Sequence, residues 1–214
     1  MTRWFCFDVG EVLVDETRVW TAWADMLGVS AFTLMAVLGA AIERGEDHEA
    51  AFPRLGLFDW RDRESEVEDA FGGIRAEDLY PDAVPALAAL RDAGYGIAVI
   101  GNQPARRTPE LAALGVAADV MVMSDELGVH KPAAAFFTAV VDRLGVDPGD
   151  IAYVGDRVDN DVVPSAAAGM RAVWLRRGPW GRLHTDPQGK ADLEVASLTE
   201  LVARVGEVWN NDKP

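Results

Sequence analysis

An α/β fold with a mostly parallel sheet, helices on both of its faces and an all-helical insertion after the first strand is what this 214-residue sequence predicts. Three observations carry that expectation. Short apolar runs stop at aspartate or glycine, as buried strands do; helix-period segments alternate with them from about residue 80 onward; and the stretch after the first run has no strand pattern. The first run is Trp4-Phe5-Cys6-Phe7, which ends at Asp8-Val9-Gly10. Residues 16–79 break the alternation, with helical spacing at 19–27 and 31–44 and a charged piece at 61–69 that reads as an exposed helical face. Residues 82–93 place Val84, Leu87, Ala88 and Leu90 at helical spacing and stop before Gly94, a common helix terminator. Strands at 97–100, 120–123, 151–154 and 172–175 then alternate with helices at 133–144, 161–168 and 198–208. Units of this length cross over right-handedly and build a Rossmann-like sheet. The expected division is a core of residues 1–15 and 80–214 and a helical domain of residues 16–79.

Charge and composition narrow the partners. Lys and Arg number 20 against 35 Asp and Glu, a formal net charge of −15. Such a surface repels phosphate backbones and anionic lipid, so the expectation is no nucleic-acid and no membrane partner. The single Cys6 excludes an internal disulfide and a cysteine-built zinc site, and reads as a small hydrophobe on its strand. No apolar run approaches membrane-spanning length and the opening residues run straight into a strand, which together predict a cytoplasmic chain. The sequence leaves the oligomeric state open.

Ligands of open parallel sheets bind at the carboxyl ends of the strands. There the first strand presents Asp8, the second Gly101-Asn102 and the one at 151–154 Gly155-Asp156, while the strand at 120–123 leads through Ser124 and Asp125 toward Lys131. Asp8, Asp156 and Asp161, with Asp159 nearby, then share one concave site. Any one of them alone reads as a solvated turn residue. Crowded carboxylates do not all stay ionised in a crevice without a compensating cation. Lys131 supplies one positive charge, too little for the set. A Mg²⁺ ion, which favours a few carboxylate oxygens, waters and a substrate phosphate, meets the need.

Four segments occur in a telling order: Phe7-Asp8-Val9-Gly10-Glu11-Val12-Leu13-Val14-Asp15, Ile100-Gly101-Asn102, His130-Lys131-Pro132, and Val154-Gly155-Asp156-Arg157-Val158-Asp159-Asn160-Asp161. With Leu79-Tyr80-Pro81 and Ala168-Gly169-Met170 beside them, the chain resembles the haloacid dehalogenase (HAD) superfamily over essentially its whole length, the insertion matching in position and helical character. The resemblance implies a phosphatase-like enzyme in which Asp8 attacks phosphorus and forms an aspartyl phosphate. It implies Mg²⁺ held by Asp8, the Gly10 carbonyl and Asp156, with Asp161 close by or acting through water. Lys131 would hold Asp8 and the phosphate, and backbone amides at Val9, Gly10, Gly101 and Asn102 would cradle the remaining oxygens. The helical insertion corresponds to a cap that closes over the crevice and selects a small phosphorylated metabolite.

Two positions depart from that pattern. Family phosphatases carry a second Asp two residues after the nucleophile, which protonates the leaving group, and a Ser or Thr at the end of the second strand; here Gly10 and Gly101 stand there. Loss of a general acid costs about 10²- to 10⁴-fold in rate. A sugar-phosphatase-like branch of the superfamily has Gly in a similar Asp-x-Gly-x-Val context. Two alternatives accompany the phosphatase reading: a catalytically impaired binding protein of the same fold, and a dehalogenase of small haloacids, whose chemistry needs no metal. Glu11, one residue past the acid's usual place, is expected to point elsewhere. Trp20, Trp23 and Leu27 are expected to pack between insertion helices, and Arg18, Arg44, His48, Arg106 and Arg107 to lie on solvated helix surfaces. His184 carries no interpretable signal.

Overall fold

The computed structural model describes residues 2–186 and 189–210. Six strands, β1 (Trp4–Phe7), β2 (Gly96–Gly101), β3 (Val120–Met123), β4 (Ile151–Gly155), β5 (Arg171–Leu175) and β6 (Leu193–Val195), stand in the order β3-β2-β1-β4-β5-β6, and every neighbouring pair is parallel. Side chains alternate between two buried faces, as the two-residue period of a strand requires. Phe5 and Phe7 pack with Leu87, Leu90, Leu198 and Leu201 on one face; Cys6, Ala98 and Ile100 pack with Phe136, Phe137 and Val140 on the other. The covering helices are α5 (Ala83–Asp92), α6 (Arg107–Ala113), α7 (Ser124–Leu127), α8 (Ala134–Leu144), α9 (Val163–Ala167), α10 (Gly178–Leu183) and α11 (Leu198–Ala203).

Besides the short helices α6, α7 and α10, which the sequence expectation lacks, three elements differ from it. Strand β6 is absent from it, because three residues with Glu194 exposed at the centre carry no periodic signal. The helix expected from residue 161 starts earlier as a π-helical turn over Val158–Val162, in which the N–H groups of Asp161 and Val162 both donate to Arg157 O, at 2.9 and 3.2 Å. The final helix stops at Ala203 and tightens into a 3₁₀ turn at Val205–Trp209, a segment containing the poor helix former Gly206.

Between β1 and α5 the described chain forms helices α1 (Thr17–Leu27), α2 (Ala31–Glu43), α3 (Ala51–Arg54) and α4 (Glu64–Phe71), joined by short turns. Ser30 caps α2, its Oγ accepting from Thr33 N at 3.1 Å, and Gly28, at φ 70°, ends α1. The helices bury a core of their own around Trp20, Leu34, Leu38, Ile42, Phe52 and Trp60, with Phe52 and Trp60 stacked at 4.5 Å between ring centres. The two stems of the insertion lie side by side: Asp15 N donates to Asp78 O at 2.8 Å and Tyr80 N to Leu13 O at 2.9 Å. One residue of the sheet domain joins this core, Trp180 of α10.

Of the cationic residues expected in solvent, Arg107 is a buried tie and Arg18 a half-buried one, whereas Arg106 lies exposed as expected. Arg18 donates to both Asp78 carboxylate oxygens, at 2.8 and 2.5 Å, and to the carbonyls of Phe71 and Gly73. Arg107 is buried, pairing with Glu68 at 2.8 Å and Glu110 at 2.9 Å, and Arg106 reaches Glu68 at 2.9 Å. The supposedly exposed charged segment therefore uses Glu68 to fasten α4 to α6, and buries Val67 and Phe71. Sequence periodicity does not reveal such partners, since Asp78 lies 60 residues from Arg18 and Glu68 lies 38 and 39 residues from Arg106 and Arg107. Burial alone would raise the Asp78 carboxyl, but its hydrogen bonds from Arg18 and Arg75 N overturn that and hold it below the usual carboxylate range. Arg18→Ala leaves Asp78 buried without its cation and is expected to lower unfolding free energy by about 3 kcal/mol at pH 7 in urea denaturation. The depressed value means the Asp78 contribution is present above about pH 4 and is lost as pH falls through the folded-state value. The gap between wild type and variant should therefore narrow in acid.

Candidate active site

The strand order reverses between β1 and β4, and this places the site. Chain leaving β1 turns toward β2 on one side, chain leaving β4 toward β5 on the other, and a crevice opens at their carboxyl ends. Phe7 is in register with Val99 and Val154, so Asp8 emerges next to Gly155, its N–H donating to Val154 O at 3.0 Å. Three carboxylates meet there as expected: Asp8, Asp156 and Asp161, all buried, present one oxygen each within 4.8 Å of one another. Asp159 stays outside this group, paired with Arg157 at 2.8 Å on the exposed rim. Glycines permit the crowding. A Cβ on Gly155 would overlap the Asp161 carboxylate, and a Cβ on Gly101 would overlap Asp8 Oδ1. Gly101 is thus where β2 yields room to the Asp8 carboxylate in this structure.

Lys131 lies among the acids. Its Nζ is 2.8 Å from Asp8 Oδ1 and 2.6 Å from Asp161 Oδ1. Burial alone would lower the ammonium, but Asp161 and Asp8 overturn it and keep Lys131 charged. Asn102 fixes the backbone beneath it, accepting from Lys131 N at 2.8 Å and donating to Lys131 O at 3.0 Å. Asp161 also accepts from Arg157 N at 3.0 Å. Burial pushes the Asp161 carboxyl up to about 6 despite Lys131, and burial with the charges of Asp161 and Asp8 pushes Asp156 well above the carboxylate range. Asp156 Oδ2 is buried with no hydrogen-bond partner. One lysine therefore leaves carboxylate charge unmatched, and an all-oxygen donor set with an orphaned oxygen suits a hard cation.

Above the triad is a cavity of about 460 Å³, lined by Asp8, Gly10, Lys131 and Asp156 below and by Trp20, Trp23, His48 and Trp180 above. Trp20 and Trp23 both pack within the insertion, as expected, and form a wall of the cavity. Asn102 lines the same cavity, whereas Val9 is buried in the core, its backbone turning beside Asp8. Glu11, the one described residue other than glycine with positive φ (53°), is locked away: its carboxylate accepts from Glu16 N at 3.0 Å and Tyr80 OH at 2.6 Å. His184 accepts from Val158 N at 3.3 Å and stands 3.6 Å from Asp159, supporting the β4 loop. Among the lining residues that sequence reasoning missed are Glu16, Gln103 and Trp180. Glu16 stands one residue before α1 and Trp180 in a Gly/Pro-rich stretch, where no motif or period marks them. Burial, with the charges of Glu11 and Asp8, pushes the Glu16 carboxyl up to about 8.

The chain is similar to known phosphatases and dehalogenases. Glyceraldehyde 3-phosphate phosphatase of Methanopyrus kandleri is 35% identical over 133 residues, 60% of this chain and 57% of that protein. Phosphoserine phosphatase of Thermus thermophilus is 34% identical over 144 residues, 65% of this chain and 57% of that protein. The matches thus span under two thirds of those relatives, and (S)-2-haloacid dehalogenases are also among the relatives. The crystal structure of a HAD phosphatase from Thermococcus onnurineus superposes with a TM-score of 0.61 at 25% identity, covering 96% of this chain and 99% of that one. The sequence pattern of haloacid dehalogenase-like hydrolases matches residues 2–169, and with Asp8, Lys131 and the acidic loop all inside that span, the chain belongs to that family.

Proposed function

We propose that this protein is a Mg²⁺-dependent phosphatase of a small phosphorylated metabolite, working through a phosphorylated Asp8. The observation that carries the reading is the partly matched triad: three buried carboxylates within 4.8 Å, one lysine between two of them, and a buried Asp156 oxygen without a partner. A dehalogenase needs no cation, and for it the second and third carboxylates are uncompensated repulsion. Asp8, the Gly10 carbonyl and Asp156 would hold Mg²⁺, with Asp161 beside them and committed to Lys131. The bound ion supplies positive charge that shields the phosphate from an anionic nucleophile and balances charge in the transition state.

The remaining work falls to the chain. Lys131 orients the Asp8 carboxylate through Oδ1 and offers its ammonium to a phosphate oxygen. Backbone N–H groups of the loops after β1 and β2, at Val9, Gly10, Gly101 and Asn102, surround the place of the other oxygens. Asp8 attacks phosphorus, the ester oxygen departs, and water then hydrolyses the acyl phosphate. The wall of Trp20, Trp23 and Trp180 excludes bulk water and limits the substrate to what a cavity of about 460 Å³ admits.

Phosphate release screened over sugar, nucleotide and acyl phosphates tests the proposal. The expected result is turnover with Mg²⁺ that stops in EDTA. Phosphate binding without turnover across the panel would support the impaired-enzyme reading instead. Halide release from 2-haloacids in EDTA would support the dehalogenase.

A further inference from the structure

Cleavage of an alkyl phosphate needs a proton for the departing oxygen, and the loop after Asp8 supplies no side chain for it at Gly10. The space that such a side chain would fill is nevertheless occupied. A Cβ built on Gly10 would lie 2.8 Å from Glu16 Cδ and closer still to Oε1. The Glu16 carboxyl has thus taken the volume directly over Gly10, two residues from the nucleophile and on the wall of the same cavity as Asp8, Lys131 and Asp156.

Its surroundings suit a working group rather than a structural one. Among the described residues Glu16 makes no salt bridge; its side chain accepts one long hydrogen bond, from Gln103 Nε2 to Oε1 at 3.5 Å, and Oε2 is left without a donor. Its backbone, by contrast, is held firmly, because Glu16 N donates to Glu11 Oε1 at 3.0 Å. The other acids lining the cavity are engaged or distant. Both Glu11 oxygens are taken, by Glu16 N and Tyr80 OH; Asp8 and Asp156 belong to the triad; Asp159 is bound to Arg157; and Asp47 is exposed and stands 3.3 Å from His48 Nδ1.

We infer that Glu16 is the acid–base residue of this site, delivered from the first residues of the insertion in place of a side chain at position 10. The inference rests on the phosphatase reading. As Asp8 forms its bond to phosphorus, the phosphorus–ester oxygen bond breaks, its electron pair stays on that oxygen, and the Glu16 proton neutralises it as an alcohol. Water then attacks the same phosphorus and passes a proton to the Glu16 carboxylate, while the bond to Asp8 breaks and its pair returns to the Asp8 oxygen. Inorganic phosphate leaves, and enzyme, proton and charge are restored.

Glu16→Gln keeps the side-chain volume and removes the exchangeable carboxyl proton. With Mg²⁺ present, turnover of glycerol phosphate should fall about 10²- to 10⁴-fold. p-Nitrophenyl phosphate, whose leaving group departs without a proton, should still give a burst of one p-nitrophenolate per enzyme at nearly the wild-type rate. Slow turnover should follow, with phosphate retained on the Asp8 peptide by mass spectrometry. Moving the carboxyl back supplies the second test: Gly10→Asp combined with Glu16→Ala should turn over glycerol phosphate at least tenfold faster than Glu16→Ala alone, since the Ala removes the atoms an Asp Cβ meets. Wild-type turnover by Glu16→Gln would overturn the assignment. So would equal slowing of burst and turnover with no phosphoenzyme, and so would a double variant no better than Glu16→Ala. Failure of the phosphatase reading itself looks different, because wild type would then release neither phosphate nor p-nitrophenolate.

Discussion

Replacing Asp8 with Asn is expected to abolish phosphate release, by roughly 10⁴-fold or more, since residues that act with the nucleophile cannot replace it. The structure separates this from a folding defect. Asp8 shares Lys131 with Asp161, so after the substitution the ammonium keeps a partner at 2.6 Å and an amide oxygen can still accept from it. One anion fewer in a crowded cluster relieves repulsion rather than creating an unmatched charge. The variant should therefore melt at or above the wild-type temperature in EDTA while showing no turnover with Mg²⁺. Retained turnover would refute covalent catalysis at Asp8, and a collapsed melting temperature would refute the account of how the cluster is held.

Asp156→Asn should have opposite effects on stability and on function. In the metal-free protein the buried Asp156 carboxylate faces Asp161 and Asp8 and has an oxygen with no hydrogen bond. An amide there carries no charge and can donate to a neighbouring carboxylate, so unfolding free energy in EDTA is expected to rise by about 1–3 kcal/mol. With Mg²⁺ the order reverses. A ligand at a hundred times its Kd stabilises by about 2.7 kcal/mol. The wild type should show that gain in thermal melts and Asp156→Asn should lose most of it, together with activity. A variant that gains as much stability from Mg²⁺ as wild type would remove Asp156 from the metal site.

Much of the site was legible before the fold was known because its parts are strand ends. Asp8, Gly101-Asn102 and Gly155-Asp156 each follow an apolar run, and parallel strands deliver such residues to one edge whatever their neighbours are. Lys131, in a loop, and Asp161, in the π-helical turn, stand at the same edge and pair by charge. Arg18, Arg107 and Glu68 were misread for the opposite reason: each has ordinary helix-surface spacing, and what buries them is a partner from a distant segment. Glu16 was invisible for a related one. Its importance comes from the emptiness at Gly10, and a missing side chain gives no sign of which distant one has moved into its place.

Trp180 has a consequence for traffic through the cavity. It belongs to the sheet domain yet its indole is seated, 5% exposed, in the aromatic cluster of the insertion, and its ring centre lies 6.2 Å from that of His48. Any hinge movement that lifts α1 and α2 must peel this indole away, wetting up to about 200 Å² of largely apolar surface. At about 25 cal/mol per Å² that is an uphill displacement of up to about 5 kcal/mol. Widening the cavity by such a movement therefore carries that cost, and the seated indole favours substrates that reach the aspartates past the tryptophans with the insertion in place.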